Sequence, residues 1–78
     1  MRNKEWKVVV TFESTNHAMA LEKVFKEQGV PGRLIPVPRQ ITAGCGLAWC
    51  SPLHAQSFIR NEINRHQLHY EEIVELEL

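Results

Sequence analysis

The stretch Arg33-Leu34-Ile35-Pro36-Val37, then Pro38-Arg39-Gln40-Ile41-Thr42-Ala43-Gly44-Cys45, then Gly46-Leu47-Ala48-Trp49-Cys50, decides the architecture of this chain. Residues 33–37 read as a strand flanked by Pro31, Pro36 and Pro38. Proline cannot donate to a ladder, which makes this an edge strand. Residues 46–50 read as a second short strand, and the loop between them is marked by glycine and threonine. Two consecutive strands therefore occupy the middle of the sequence.

Outward from this pair lie two helical patterns. On the N-terminal side, Ser14 supplies an N-cap, and Ala18, Leu21, Val24 and Phe25 recur at helical spacing. Gly29 reads as the C-cap, and Pro31 prevents continuation. On the C-terminal side, Ser51-Pro52 predicts a helix start, with the serine as cap and proline at the first helical position. Ala55, Phe58, Ile59 and Ile63 give that helix its apolar stripe, which ends near Arg65-His66.

The two ends of the chain alternate with period two, as half-buried strands do. Trp6, Val8, Val10 and Phe12 alternate with Lys7, Val9 and Thr11. From Tyr70 to Leu78, Tyr70, Val74, Leu76 and Leu78 alternate with Glu71, Ile73, Glu75 and Glu77. The order strand, helix, strand, strand, helix, strand predicts an α+β, ferredoxin-like βαββαβ sandwich, a four-stranded antiparallel sheet with two helices on one face. The other sheet face is left to solvent or a partner. Trp49 is expected under the helices; the alternative turns it outward with Val9 and Ile73 as an apolar patch. Glu71, Glu75 and Glu77 read as a solvated face.

Seventy-eight residues allow a single domain, 1–78, without room for a second core. Apolar residues at 44% and charged residues at 23% exclude a disordered or collagen-like chain. So small a domain is near the limit for folding without staples, and a homodimer would be unsurprising. Nine basic and nine acidic residues remove the bulk electrostatic argument for nucleic acid or an anionic membrane. The N-terminal apolar run is only Val8-Val9-Val10, too short for a signal peptide, and no segment approaches the roughly 20 apolar residues of a membrane helix. Two cysteines without a secretory signal point to the reducing cytosol, so a cytoplasmic protein is expected.

Cys45 is the residue expected to do chemistry. It stands between Gly44 and Gly46, and Arg39 lies upstream on a stretch that Pro38 stiffens. A thiol is nucleophilic as thiolate, and cationic neighbours favour that form. Read this way, Cys45 is an exposed handle. The topology places Cys45, Arg39, Thr42, Ser14 and His17 on one rim, with His66 and His69 at the same end. A helix N-terminus there carries partial positive charge, suited to a thiolate, a persulfide anion or a bound anion. Arg39 is then either a thiolate and anion partner or a solvated loop charge. His17 is either a proton-transfer partner or a solvated first-turn residue.

Cys50 is a different object. Five residues of extended chain put it about 16 Å from Cys45, at about 3.3 Å per residue. A disulfide needs Cα atoms within about 7 Å, so the two should not bridge within one molecule. Its plain reading is a small packed residue; the alternative is activation by the helix that follows. His54, His66 and His69 show no ligand spacing with the cysteines, so no metal and no cofactor is expected. The Cys-x4-Cys spacing is only a weak reason to keep soft metals in view.

The run Pro38-Arg39, then Ile41-Thr42-Ala43-Gly44-Cys45-Gly46-Leu47-Ala48, resembles the signature of a small bacterial family, the selenium/sulfur (Se/S) carrier protein-like family. Thr11-Phe12, Ser14-Thr15, Gly29-Val30-Pro31 and Arg33-Leu34-Ile35-Pro36 resemble it too, so the likeness covers about residues 7 to 74. The resemblance implies a small cytosolic carrier that holds sulfur or selenium on Cys45, with donor and acceptor proteins of a relay as its partners. The chain departs from that pattern at Cys50, where a basic residue is more usual, which leaves open a resolving or regulatory thiol. It lacks the Cys-Pro-x-Pro of the better-known sulfur-relay carriers.

Three functions are weighed. A carrier needs no acid–base pair of its own, which suits this chain. A ferredoxin-like interaction or regulatory module would bind a partner protein or small anion without covalent chemistry. A thiol enzyme with Cys45 as nucleophile fits worst, because no Cys–His–Asn/Asp arrangement is evident and the chain offers little enclosed pocket.

Overall fold

The computed structural model describes residues 4–41 and 44–78. Strand β1 (Trp6–Thr11) leads into helix α1 (Thr15–Glu27), then β2 (Arg33–Pro36) and β3 (Leu47–Pro52). A 3₁₀ turn, Leu53–Ala55, precedes α2 (Gln56–His66), and β4 (Ile73–Glu77) closes the sheet. The strand order is β2-β3-β1-β4, antiparallel throughout. This is the expected ferredoxin-like α+β arrangement, and proline-flanked β2 lies at its edge as expected.

The β-branched run Val8-Val9-Val10 suits the centre of a sheet, and β1 pairs there with β3 and β4. Ser14 adopts the extended conformation of an N-cap, and its hydroxyl accepts from the His17 amide at 3.3 Å. After α1, Gly29 takes φ +76° and lets the chain turn back toward β2.

Val8, Val10, Phe12, Trp49, Leu34, Leu47 and Ile73 join Ala18, Leu21, Phe25, Ile59 and Ile63 in one core. Trp49 faces the helices, edge-on to Phe25 with ring centroids 5.2 Å apart. Its indole Nε1 donates to Ser51 Oγ at 2.7 Å, and that hydroxyl donates to the Pro31 carbonyl at 2.6 Å. Because directly paired residues share a face, strand alternation puts Lys7, Val9, Arg33, Ile35, Ala48, Cys50, Val74 and Leu76 on the side without helices. Ile73 therefore lies on the opposite side from Val9, with Val10. Glu71, Glu75 and Glu77 are exposed.

The helix start expected at Ser51-Pro52 is corrected. Both residues end β3, and α2 begins at Gln56 behind Ala55, which offers no capping side chain. A residue before proline is pushed toward extended backbone, and Ser51 spends its hydroxyl inside the core rather than on helix amides. The last strand is also shorter than expected: Tyr70 lies outside the ladder, and α2 ends on Gln67 with φ +52°, a left-handed cap without glycine.

Candidate functional site

The rim at the end of β1 gathers three segments. Gly44 lies against the Glu13 main chain, where a Cβ would make ordinary contact, 3.4 Å from the Glu13 carbonyl oxygen. The loop after β2 is thereby held beside Ser14, the cap of α1. Thr11 donates its amide to Glu72 O at 2.8 Å and accepts from the Glu71 amide at 2.7 Å, which brings the segment before β4 to the same end. Above it, the His17 and His69 rings stack 4.8 Å apart. Ser14, His17, Gly44, Cys45 and His69 are thus neighbours on one rim.

The loop is tied at its base by the Val37 amide donating to Gly46 O at 2.9 Å. Gly46 takes φ +80°, a conformation that other residues adopt only with strain. Pro38 sits half-buried at the start of a turn that the Ile41 amide closes on the Pro38 carbonyl at 3.0 Å. Arg39 lies exposed in that turn and forms no ion pair among the described residues. Thr42 falls outside the described residues.

Cys45 is half-buried rather than the free-standing handle expected of it. The sulfur-bearing side chain packs against the rim of the core, and Sγ donates weakly to Leu47 O at 3.6 Å. Of the glycines beside it, Gly46 permits the left-handed turn, and Gly44 lies against the Glu13 main chain. Glu13 was invisible as a site neighbour in the sequence, since only its main chain makes the contact. Part of the α1 anion-holding capacity is also in use, because Ser14 already takes the His17 amide.

Cys50 lies on the helix-free face, opposite Arg33 and Val9 in the ladder. Burial pushes its thiol above the ordinary range, and the charges of Lys7 and Arg33 pull it back down. The two sulfurs thus occupy different environments, one at the core edge by α1 and one on the bare sheet. Both are free thiols. Among the described residues no three His, Cys, Asp or Glu side chains converge in a way that could hold a metal ion. No helix among them is long and apolar enough to cross a membrane.

No curated protein and no solved structure matches the chain. A family model does match, over residues 7–75, and this span runs from β1 through the glycine-flanked Cys45 into β4. The chain belongs to the family described as "Putative Se/S carrier protein-like".

Proposed function

We propose that the protein is a carrier that holds one sulfur or selenium atom on Cys45, as persulfide or selenosulfide, and hands it to a partner protein. The Cys45 thiolate attacks the terminal sulfur of a donor protein's persulfide; the donor cysteine leaves as thiolate, and Cys45 keeps the transferred atom. The acceptor's thiolate later takes that atom in the same way. No net oxidant is consumed. Family membership supports the reading. The observation that carries it is the half-accessible Cys45 on a tied loop at the start of α1.

Within this scheme the amides of the first turn of α1 and the Arg39 guanidinium stabilise the terminal anion, and His17 is the nearby proton carrier. Pro38, Gly44 and Gly46 shape the loop. The scheme places the protein in a reducing cytoplasm, where its thiols stay free. A non-catalytic interaction module is the second reading, favoured by Val74 and Leu76 lying on the helix-free face with Val9.

Incubation with a cysteine desulfurase and cysteine, or with the same enzyme and selenocysteine, whose chalcogen reaches the protein already bound to the enzyme's cysteine sulfur, is expected to add one chalcogen atom by intact mass, and reduction should remove it. Cys45→Ser should load at least about tenfold less, because serine has no comparable nucleophile at neutral pH. Equal loading of Cys45→Ser and wild type would end the carrier reading. Partner binding unchanged in that variant would point instead to the interaction module.

A further inference from the structure

A cleft of about 330 Å³ opens where the starts of β1 and β2 meet the end of β3, with Lys7, Gly32, Arg33, Cys50 and Pro52 in its walls. Arg33 is directly opposite Cys50 in the ladder, and Lys7 is diagonal to it through Pro52. Such neighbours stand about 5 Å and about 7 Å apart at Cβ, so both cationic side chains can reach over the sulfur. Among the described residues Lys7 is paired only with Glu5, at 3.2 Å, and Glu5 is largely exposed. An exposed pair of this kind exchanges readily for another anion. Arg33 forms no ion pair among the described residues. The cleft therefore combines room, two available cations and a nucleophile, none of them shared with the Cys45 rim.

We propose that this cleft is a second site, which takes a small disulfide bearing carboxylates, seats its negative groups on Lys7 and Arg33, and joins half of it to Cys50. The Cys50 thiolate attacks one sulfur of the ligand's S–S bond. A Cys50–S–S–R bond forms, the ligand's bond breaks, and the electron pair leaves with R–S⁻, which takes up the proton Cys50 gave away. The ligand is the oxidant and is itself reduced to one thiol. A free thiol of the same kind reverses the step. Cys45 takes no part, since it packs at the core edge and Cys50 faces the helix-free side. The site stands independently of the carrier scheme and falls separately from it.

The test sets an anionic, a neutral and a cationic disulfide against the reduced full-length chain: oxidised glutathione, hydroxyethyl disulfide and cystamine. Each rate is normalised to that of a free cysteine peptide. Cleavage after Trp49 separates the two sulfurs for mass spectrometry. At Cys50 the anionic reagent is expected to react about tenfold faster than the cationic one at low salt, with the ratio shrinking as salt rises. Lys7→Gln and Arg33→Gln, both changes at the surface, should bring the ratio toward one. Since burial raises this thiol, the reaction should accelerate with pH and level off above the range of an ordinary cysteine; either substitution should move that plateau higher. A charge order at Cys50 no stronger than the free peptide's, or one untouched by both substitutions, would overturn the proposal. So would a Cys50 that stays unmodified at every pH.

Discussion

Replacing Gly32 by alanine is expected to remove most of the stability of the domain. Gly32 has φ +136°, which L side chains rarely adopt, and holding one there costs about 1–3 kcal/mol. A Cβ would also run into the Cys50 carbonyl oxygen, stand 2.6 Å from Ser51 Oγ and stand 2.9 Å from Trp49 Nε1. The first of these is backbone in the middle of the sheet and has nowhere to go. The other two belong to the hydrogen-bonded chain from Trp49 through Ser51 to Pro31. Breaking it strands buried polar groups at about 1–3 kcal/mol each. Strain and two stranded groups together come to roughly 3–9 kcal/mol, against the roughly 4–12 kcal/mol expected for a domain of this length. Urea unfolding should show a midpoint collapsed toward zero denaturant. Gly29→Ala is the control: Gly29 has φ +76° but nothing within 4 Å, so about 1–2 kcal/mol is expected. Equal losses for the two variants would show that the contact at Gly32 costs nothing.

Trp49→Ala should be nearly as severe. The indole is fully buried at the centre of the core, edge-on to Phe25 and paired with Val10 of β1 and Leu34 of β2. Truncations of this size cost about 3–5 kcal/mol, and Ser51 loses its donor as well. Trp49→Phe keeps the ring and gives up the N–H, so about 1–2 kcal/mol is expected from the lost hydrogen bond and volume. Thermal unfolding followed by far-UV circular dichroism reads both. A Trp49→Ala protein within 1 kcal/mol of wild type would mean that this core repacks far more freely than its burial implies.

The architecture was legible because each element carries its own period and the first helix its own breaker. Val8 and Val10 on a two-residue beat, Leu21 and Phe25 on a helical one, and three prolines around β2 all agree with the observed sheet. Ser51-Pro52 misled because serine before proline has two uses. It caps a helix when its hydroxyl faces outward and ends a strand when the hydroxyl is claimed inside, and the claim comes from Trp49 and Pro31, distant or hidden in the pattern. The left-handed end of α2 at Gln67 carries no glycine to announce it.

The rim was legible in part. Strand directions place the Cys45 loop beside Ser14, and the contact of Gly44 with Glu13 agrees with that. The depth of the sulfur was not, because it depends on how the loop leans on Leu47 and the core, a tertiary matter. The cleft at Cys50 was equally hidden. It needs the register that sets Arg33 and Lys7 around one sulfur, and alternation alone does not supply a register.

The two sulfurs lie on different sides of the molecule, and each can bond only outward. To an oxidant such a protein is a monomer with two valences and no means of closing on itself. Air or diamide should therefore convert it into a ladder of dithiothreitol-reversible multimers on a non-reducing gel. Either single serine variant should stop that ladder at the second rung.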